Sequence, residues 1–197
     1  MKANPNESAA RQRIIDTALG LFYRQGYLAT GINQVIAEAG VSKNTFYYYF
    51  PSKEDLCVAY LQARHLVWMG WLQEKIDSQL DPYQRVLSVF EFLDSWLRSC
   101  NFRGCAFLNI AAEVPDINHR LRQEVISHKD ALRQVLTGLL TDLSRAERKY
   151  AGLDVTGLAD TLYLLIEGLI SACQNYGDAA LIAGARKQFV DQLAKNK

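Results

Sequence analysis

Residues 40–56 read GVSKNTFYYYFPSKEDL. An unbroken aromatic run, Phe46 to Phe50, stands between Lys43 and Lys53. On a helix turning about 100° per residue, Phe46, Tyr49 and Phe50 share one side, with Lys43 at its edge. Asn44, Tyr47 and Tyr48 share the other, with Thr45 at the boundary. The run therefore divides. One set is placed to seal a small core with Ile15, Leu19 and Ile36. The other is polar-tipped and has no place in that core.

The flanks give this helix its setting. Ser42 is its N-cap and Pro51 closes it. The helix before it runs from an N-cap at Thr30 through Val35, Ile36 and Ala39, and Gly40 ends it as a C-cap glycine. Only Gly40-Val41-Ser42 joins the two. Two short helices across a glycine-containing turn are the pattern of helix-turn-helix, whose second helix enters the major groove. Asn44 can donate and accept at an adenine edge, and Lys43 can reach a guanine or a phosphate. Tyr47 and Tyr48 supply hydroxyls for phosphate and flat faces for thymine methyls. Thr30 and Ser52 sit at helix starts, where free N–H groups favour phosphate, and Lys53 lies beside one of them. Ser42 and Thr45 complete the candidate DNA-binding set.

Helical spacing continues outward in both directions. Met1–Glu7 is expected to fray, and a helix from Ser8 carries Ile14, Ile15, Ala18, Leu19 and Phe22 to a stop at Gly26. A long helix opens at Ser52 and reaches about Ile76. Others are expected from Pro82 to Cys100, up to Val114, from Ile117 to Leu143, from Val155 to Tyr176, and ending near Leu193. The fold class is all-α. A three-helix helix-turn-helix domain spans 8–52, and a larger helical domain for ligand binding and dimerisation spans 53–197.

The chain has 197 residues, 49% hydrophobic and 22% charged, which is enough apolar material for a soluble globular core. The formal net charge is +1, so no global field announces nucleic acid. The bases of the first quarter, however, outnumber its acids. The N-terminal stretch has no signal-peptide pattern and no run of 18 or more apolar residues appears, so a cytoplasmic location without membrane is expected. Cys57, Cys100, Cys105 and Cys173 lack metal-site spacing and are expected as reduced thiols. His119, Glu124 and His128 do not share one helical face and read as a solvated surface.

The stretch TGINQVIAEAGVSKNTFYYYFPSKEDL, residues 30–56, closely resembles the DNA-binding head of the TetR/AcrR family of bacterial repressors. The resemblance is specific over about Arg11 to Ala63. Beyond that it rests on helix count, chain length and the pattern around RGCAFLNIAAEV, residues 103–114. It implies nine or ten helices: three that bind DNA, a fourth that links, and the rest for a ligand and a dimer. It also implies that Thr30, Lys43, Asn44, Thr45, Tyr47, Tyr48 and Lys53 lie at DNA. Many relatives carry a small residue where Asn44 stands, so operator details do not carry over.

Two inputs for release are readable in the body. Trp68, Trp71, Phe90, Trp96, Phe102, Phe107 and Tyr163 can line an apolar pocket, with Asn109, Glu113 or Glu167 as polar fixtures. Glu167 interrupts LYLLIEGLI, and a carboxylate in so apolar a run needs a partner. The second input is Cys105, beside Arg103 and at a helix start, with Cys100 near enough to resolve an oxidised sulfur. That segment resembles one in relatives that sense electrophiles or oxidants. The helices Val155–Tyr176 and the last one carry excess apolar and small residues, which points to a four-helix homodimer interface. Two heads related by a two-fold axis then read a palindromic DNA operator, and an inducer or electrophile shifts the long fourth helix to release it.

No Ser/His/Asp arrangement, Gly-rich phosphate loop or metal cluster is recognisable, so no enzyme, cofactor or metal is expected. An activator and an all-helical small-molecule-binding protein stand as alternatives to a repressor. The last of these leaves Tyr47, Tyr48 and Lys53 without work.

Overall fold

The structure, a computed structural model, describes residues 5–195, with side chains from residue 9. The described residues form nine α-helices and no strand: α1 Pro5–Gln25, α2 Ile32–Ala39, α3 Lys43–Tyr49, α4 Lys53–Asp77, α5 Pro82–Ser99, α6 Ala106–Glu113, α7 Arg120–Ala146, α8 Val155–Tyr176 and α9 Ala180–Lys195, with a 3-10 turn at Arg148–Tyr150. α1 begins three residues before the expected Ser8, at a proline suited to a first helical position. The expectation for Met1–Asn4 lies outside the described residues.

The chain forms two compact units. One comprises residues up to Val67 together with Ala106–His128; the other comprises Trp68–Cys105 and the chain from Lys129 on. The division falls within α4 and α7.

In the first unit α1 packs on α2 and α3. Its buried stripe is Ile14, Ile15, Ala18, Leu21 and Phe22, set against Val35, Ala39, Phe46 and Phe50. Leu19 and Ile36, expected at the centre of this core, are only half-buried. The stripe of α1 is centred one position away from Leu19, and Val35 with Ala39 takes the middle of α2. Gly40 ends α2 at φ 61°, ψ 42°, a left-handed conformation that lets its N–H bond back to Ala37 and Ile36. The N-cap of α2 is Gly31, not Thr30. Ser42 caps α3 by accepting the Thr45 N–H at 3.0 Å. Ser52 does the same for Asp55 at 3.0 Å and opens α4. The Asp55 carboxylate then receives Arg120, from the start of α7, at 2.6 Å.

In the second unit α5, α8 and α9 pack together. Phe90 and Phe189 meet at 5.9 Å between ring centroids, both fully buried. Asp81 caps α5 with Pro82 at its first position, and Asp154 caps α8. By length and composition alone α8 is sufficient to cross a bilayer. That differs from the expectation of no such segment. Its apolar residues Leu158, Leu162, Ile166, Leu169 and Ile170 are buried inside this unit.

Candidate nucleic-acid interface and buried ion pair

α3 separates its aromatics largely as its spacing predicts, although Tyr49, expected on the core side, is only half-buried. Phe46 and Phe50 are buried, whereas Ser42, Lys43, Asn44, Tyr47 and Tyr48 are exposed and Thr45 is half-buried. Tyr48 is 73% exposed, far more than an aromatic ring needs for a role in packing. The Ser42 and Thr45 hydroxyls lie 2.8 Å apart at the helix start. A single two-turn element thus presents an ammonium, an amide, two hydroxyls and two phenols on one side, and is anchored by two phenylalanines on the other. Such a set can bond both phosphates and base edges.

Thr30 does not belong to that surface. Its side chain is fully buried and its hydroxyl donates to the Gly26 carbonyl at 2.7 Å. It closes the turn after α1 and has no face left for a phosphate. Lys53 is half-buried; its ammonium donates to the Leu28 carbonyl at 3.2 Å and lies 4.6 Å from the Tyr27 ring centroid. Burial lowers the Lys53 pKa, with Cys57 and Glu113 opposing the shift. Burial likewise pushes the Tyr27 phenol up to about 12, helped by Cys57, Glu54 and Glu113. Glu113, expected at a ligand pocket, instead accepts the Tyr27 and Leu28 amides.

The second unit holds a buried ion pair that the sequence announces only from one side. The partner that Glu167 needs is Lys129, with Nζ and Oε1 2.7 Å apart. Lys129 is 9% exposed, and its ammonium lies 3.7 Å from the Cys105 sulfur, itself buried. Burial disfavours the Lys129 charge, but Cys105 and Glu167 outweigh it and hold its pKa above the ordinary lysine value. The Tyr163 phenol, pushed up by burial and by Glu167, borders the same cluster. Lys129 is therefore a cation beside Cys105. The loop before Cys105 holds Asn101 and Phe102 at φ 50° and 55°, a left-handed conformation that costs about 1–2 kcal/mol for each such residue. All four cysteines are free; burial pushes the Cys57 and Cys173 thiols up.

The expected pocket residues divide between the two units. Trp71 and Trp96 line a groove of about 450 Å³ with Phe92, Glu74 and Lys75. Trp68 is buried edge-on to Phe92 and Trp96, and Phe90 is core. Phe102 is half-buried in the strained loop. Cys105, Tyr163 and Glu167 gather around Lys129. Phe107 and Asn109 belong to the other unit. There Phe107 stacks on His128 at 3.7 Å, and His128 Nδ1 lies 3.1 Å from His65 Nδ1. His128, expected on a solvated surface, is 2% exposed. In the sequence it shares the helical stripe of Leu121, Val125, Leu132 and Leu136, all buried, and that spacing is the mark of its burial.

Comparison with known proteins agrees with this geometry. Residues 14–60 match the model of bacterial regulatory proteins of the tetR family, and residues 82–189 match that of the tetracyclin repressor-like C-terminal domain. A TetR-family transcriptional regulator from Streptomyces coelicolor is 30% identical, with a TM-score of 0.81 and 95% of each chain covered. The uncharacterised HTH-type regulator YxaF of Bacillus subtilis is 35% identical over 115 residues, 57% of this chain and 60% of its own length. The HTH-type transcriptional repressor NemR of Escherichia coli is 28% identical over 118 residues, 59% of each. The chain thus spans less than two thirds of these curated relatives, but nearly all of the solved one. With the head, the body and the whole-chain fold each matched, this protein belongs to the TetR family of bacterial transcriptional regulators.

Proposed function

We propose that the protein is a homodimeric, thiol-responsive repressor that binds a palindromic operator in the cytoplasm through α3 of each subunit. The observation that carries this reading is the division of α3: Asn44, Tyr47 and Tyr48 face solvent while Phe46 and Phe50 anchor the helix. Lys43 and the tyrosine hydroxyls bind phosphate, and Asn44 reads a base. Each subunit contributes one such helix, and the two-fold axis sets their separation. The exposed face of α8 and α9, with Leu164, Gly168, Leu181 and Gly184 bordering one groove, supports a second copy as its cover.

Release begins at Cys105. With an activated alkene the sulfur bonds to the β-carbon and the thiol proton ends on the α-carbon. The attacking form is the thiolate, and the Lys129 ammonium stands where it attracts that charge. An adduct on a buried sulfur cannot be housed without displacing the Lys129–Glu167 pair or the strained loop, and strain already stored there favours the displaced state. An adduct that prefers the released state by about 3 kcal/mol shifts binding by roughly two orders of magnitude. A non-covalent inducer is the second reading, favoured by the Trp71–Phe92–Trp96 groove.

The test is an electrophoretic shift on DNA upstream of the protein's own gene, with and without N-ethylmaleimide. Wild type and Cys100→Ser are expected to leave the duplex on alkylation, and Cys105→Ser to stay. Asn44→Ala is expected to relax base preference at one position per half-site, at a cost of about 1–3 kcal/mol. Alkylated Cys105→Ser leaving as wild type does sinks the thiol reading, and indifference of the wild type to every duplex sinks the whole.

A further inference from the structure

The turn after α1 is gripped by a residue far away in the chain. Glu113 Oε1 accepts the Tyr27 N–H at 3.2 Å, and Oε2 accepts the Leu28 N–H at 2.6 Å. Successive N–H groups in a turn make an anion-binding concavity, and here the protein supplies its own anion. The placement of that anion is informative. Glu113 is the last residue of α6, where the helix dipole opposes negative charge. Helix propensity therefore does not account for it, whereas the two amides do. Gly26 is shaped to admit it: φ is +96°, and a Cβ added there would stand 2.9 Å from Glu113 Oε1. The same turn is closed from within by Thr30 Oγ1 on the Gly26 carbonyl and tied to α4 by Lys53 on the Leu28 carbonyl. This turn is the hinge between α1 and the α2–α3 pair that carries the reading face. Val114 is buried directly after Glu113, so the carboxylate is held on a fixed stem.

We infer that Glu113 is a positioning residue for operator recognition: by clasping the Tyr27 and Leu28 amides it sets the angle at which α2 and α3 are presented, and so the half-site separation the dimer accepts. It touches no DNA. The inference rests on the homodimeric operator reading above. One base-pair step is about 3.4 Å, so a few ångströms of slack in each head blur the choice between adjacent spacings. Affinity on a single half-site depends little on that slack, because one head alone has no partner to be in register with.

The experiment uses the intact chain. An operator is first selected by the wild type from a random duplex pool. Duplexes with the spacer between half-sites one base pair longer or shorter are then compared by fluorescence anisotropy, alongside thermal melts. The wild type is expected to lose about tenfold or more in affinity on the altered spacers, and Glu113→Ala less than about threefold. Glu113→Gln keeps a single carbonyl acceptor for the two amides and is expected to fall between. It also serves as the readout if the alanine variant does not fold. Retention of the sharp wild-type preference by the folded variants overturns the inference, as does equal weakening on all spacers, which marks a purely structural residue. Selection of no duplex by the wild type instead sinks the operator reading on which the inference rests.

Discussion

Lys129 and Glu167 lie 38 residues apart in the chain and 2.7 Å apart in the fold. Taking Glu167 away leaves a buried ammonium without its carboxylate, and taking Lys129 away leaves a half-buried carboxylate without its cation, which is where such pairs become costly. Lys129→Met is expected to destabilise the protein by about 3 kcal/mol, at the low end for buried pairs because Glu167 keeps some exposure. Lys129→Met with Glu167→Leu is expected to recover most of the loss, since two apolar side chains leave no orphan charge. Urea unfolding of the wild type and the two variants measures both. The pH dependence has a definite sign. The folded Lys129 pKa is raised, so the stability it contributes is complete below the unfolded value of about 10.4 and is lost only as pH climbs through the folded one. Lys129 therefore gives no slope between about pH 6 and 9. Half of this site is legible in the sequence. LYLLIEGLI marks Glu167 as a carboxylate in need of a partner. In VISHKDALRQVL, residues 125–136, Lys129 shares the buried stripe of Val125, Leu132 and Leu136, but nothing local marks it as the partner of Glu167, because the pairing depends on how α7 packs against α8.

α3 is two turns long, too short to stand without its cap and its two buried rings. Ser42→Ala removes the acceptor for the Thr45 N–H and is expected to cost about 1 kcal/mol by thermal or chemical melt. The division of its aromatics is legible at sequence level because it depends only on the helical turn of about 100° per residue, which a short capped helix obeys. Thr30 shows the limit of such reading. A threonine before an apolar run looks like an N-cap, but Gly31 takes that place and the Thr30 hydroxyl folds back to Gly26. The outcome hinges on the backbone of a turn that the distant Glu113 helps to shape. Thr30→Val is accordingly expected to lower stability by about 1–2 kcal/mol yet leave the salt dependence of DNA binding unchanged. Lys43→Ala is expected to flatten that dependence, its slope falling by about one for each phosphate no longer neutralised. A flattened slope for Thr30→Val would return Thr30 to the DNA face.

A second copy of the chain is required if one short helix is to find a specific site, because one head reads too few base pairs. α8 and α9 carry the candidate contact. Leu164 is 67% exposed and Leu181 51% exposed, and between them Gly168, Ala172, Gly184 and Ala185 line a groove of about 360 Å³. Small residues let another helix approach closely, and flanking leucines give it apolar area to cover. These two leucines lie outside the core of their own unit, so replacing them tests association without emptying a packed interior. Leu164→Arg with Leu181→Arg is expected to sediment as a monomer with a cooperative melt, and to bind the full operator about 10²–10⁴-fold more weakly, the avidity that goes when the second head is no longer tethered. On a single half-site the variant and the wild type should bind alike, which separates failed pairing from a damaged reading head. Persistence of the dimer in sedimentation would move the contact off this face.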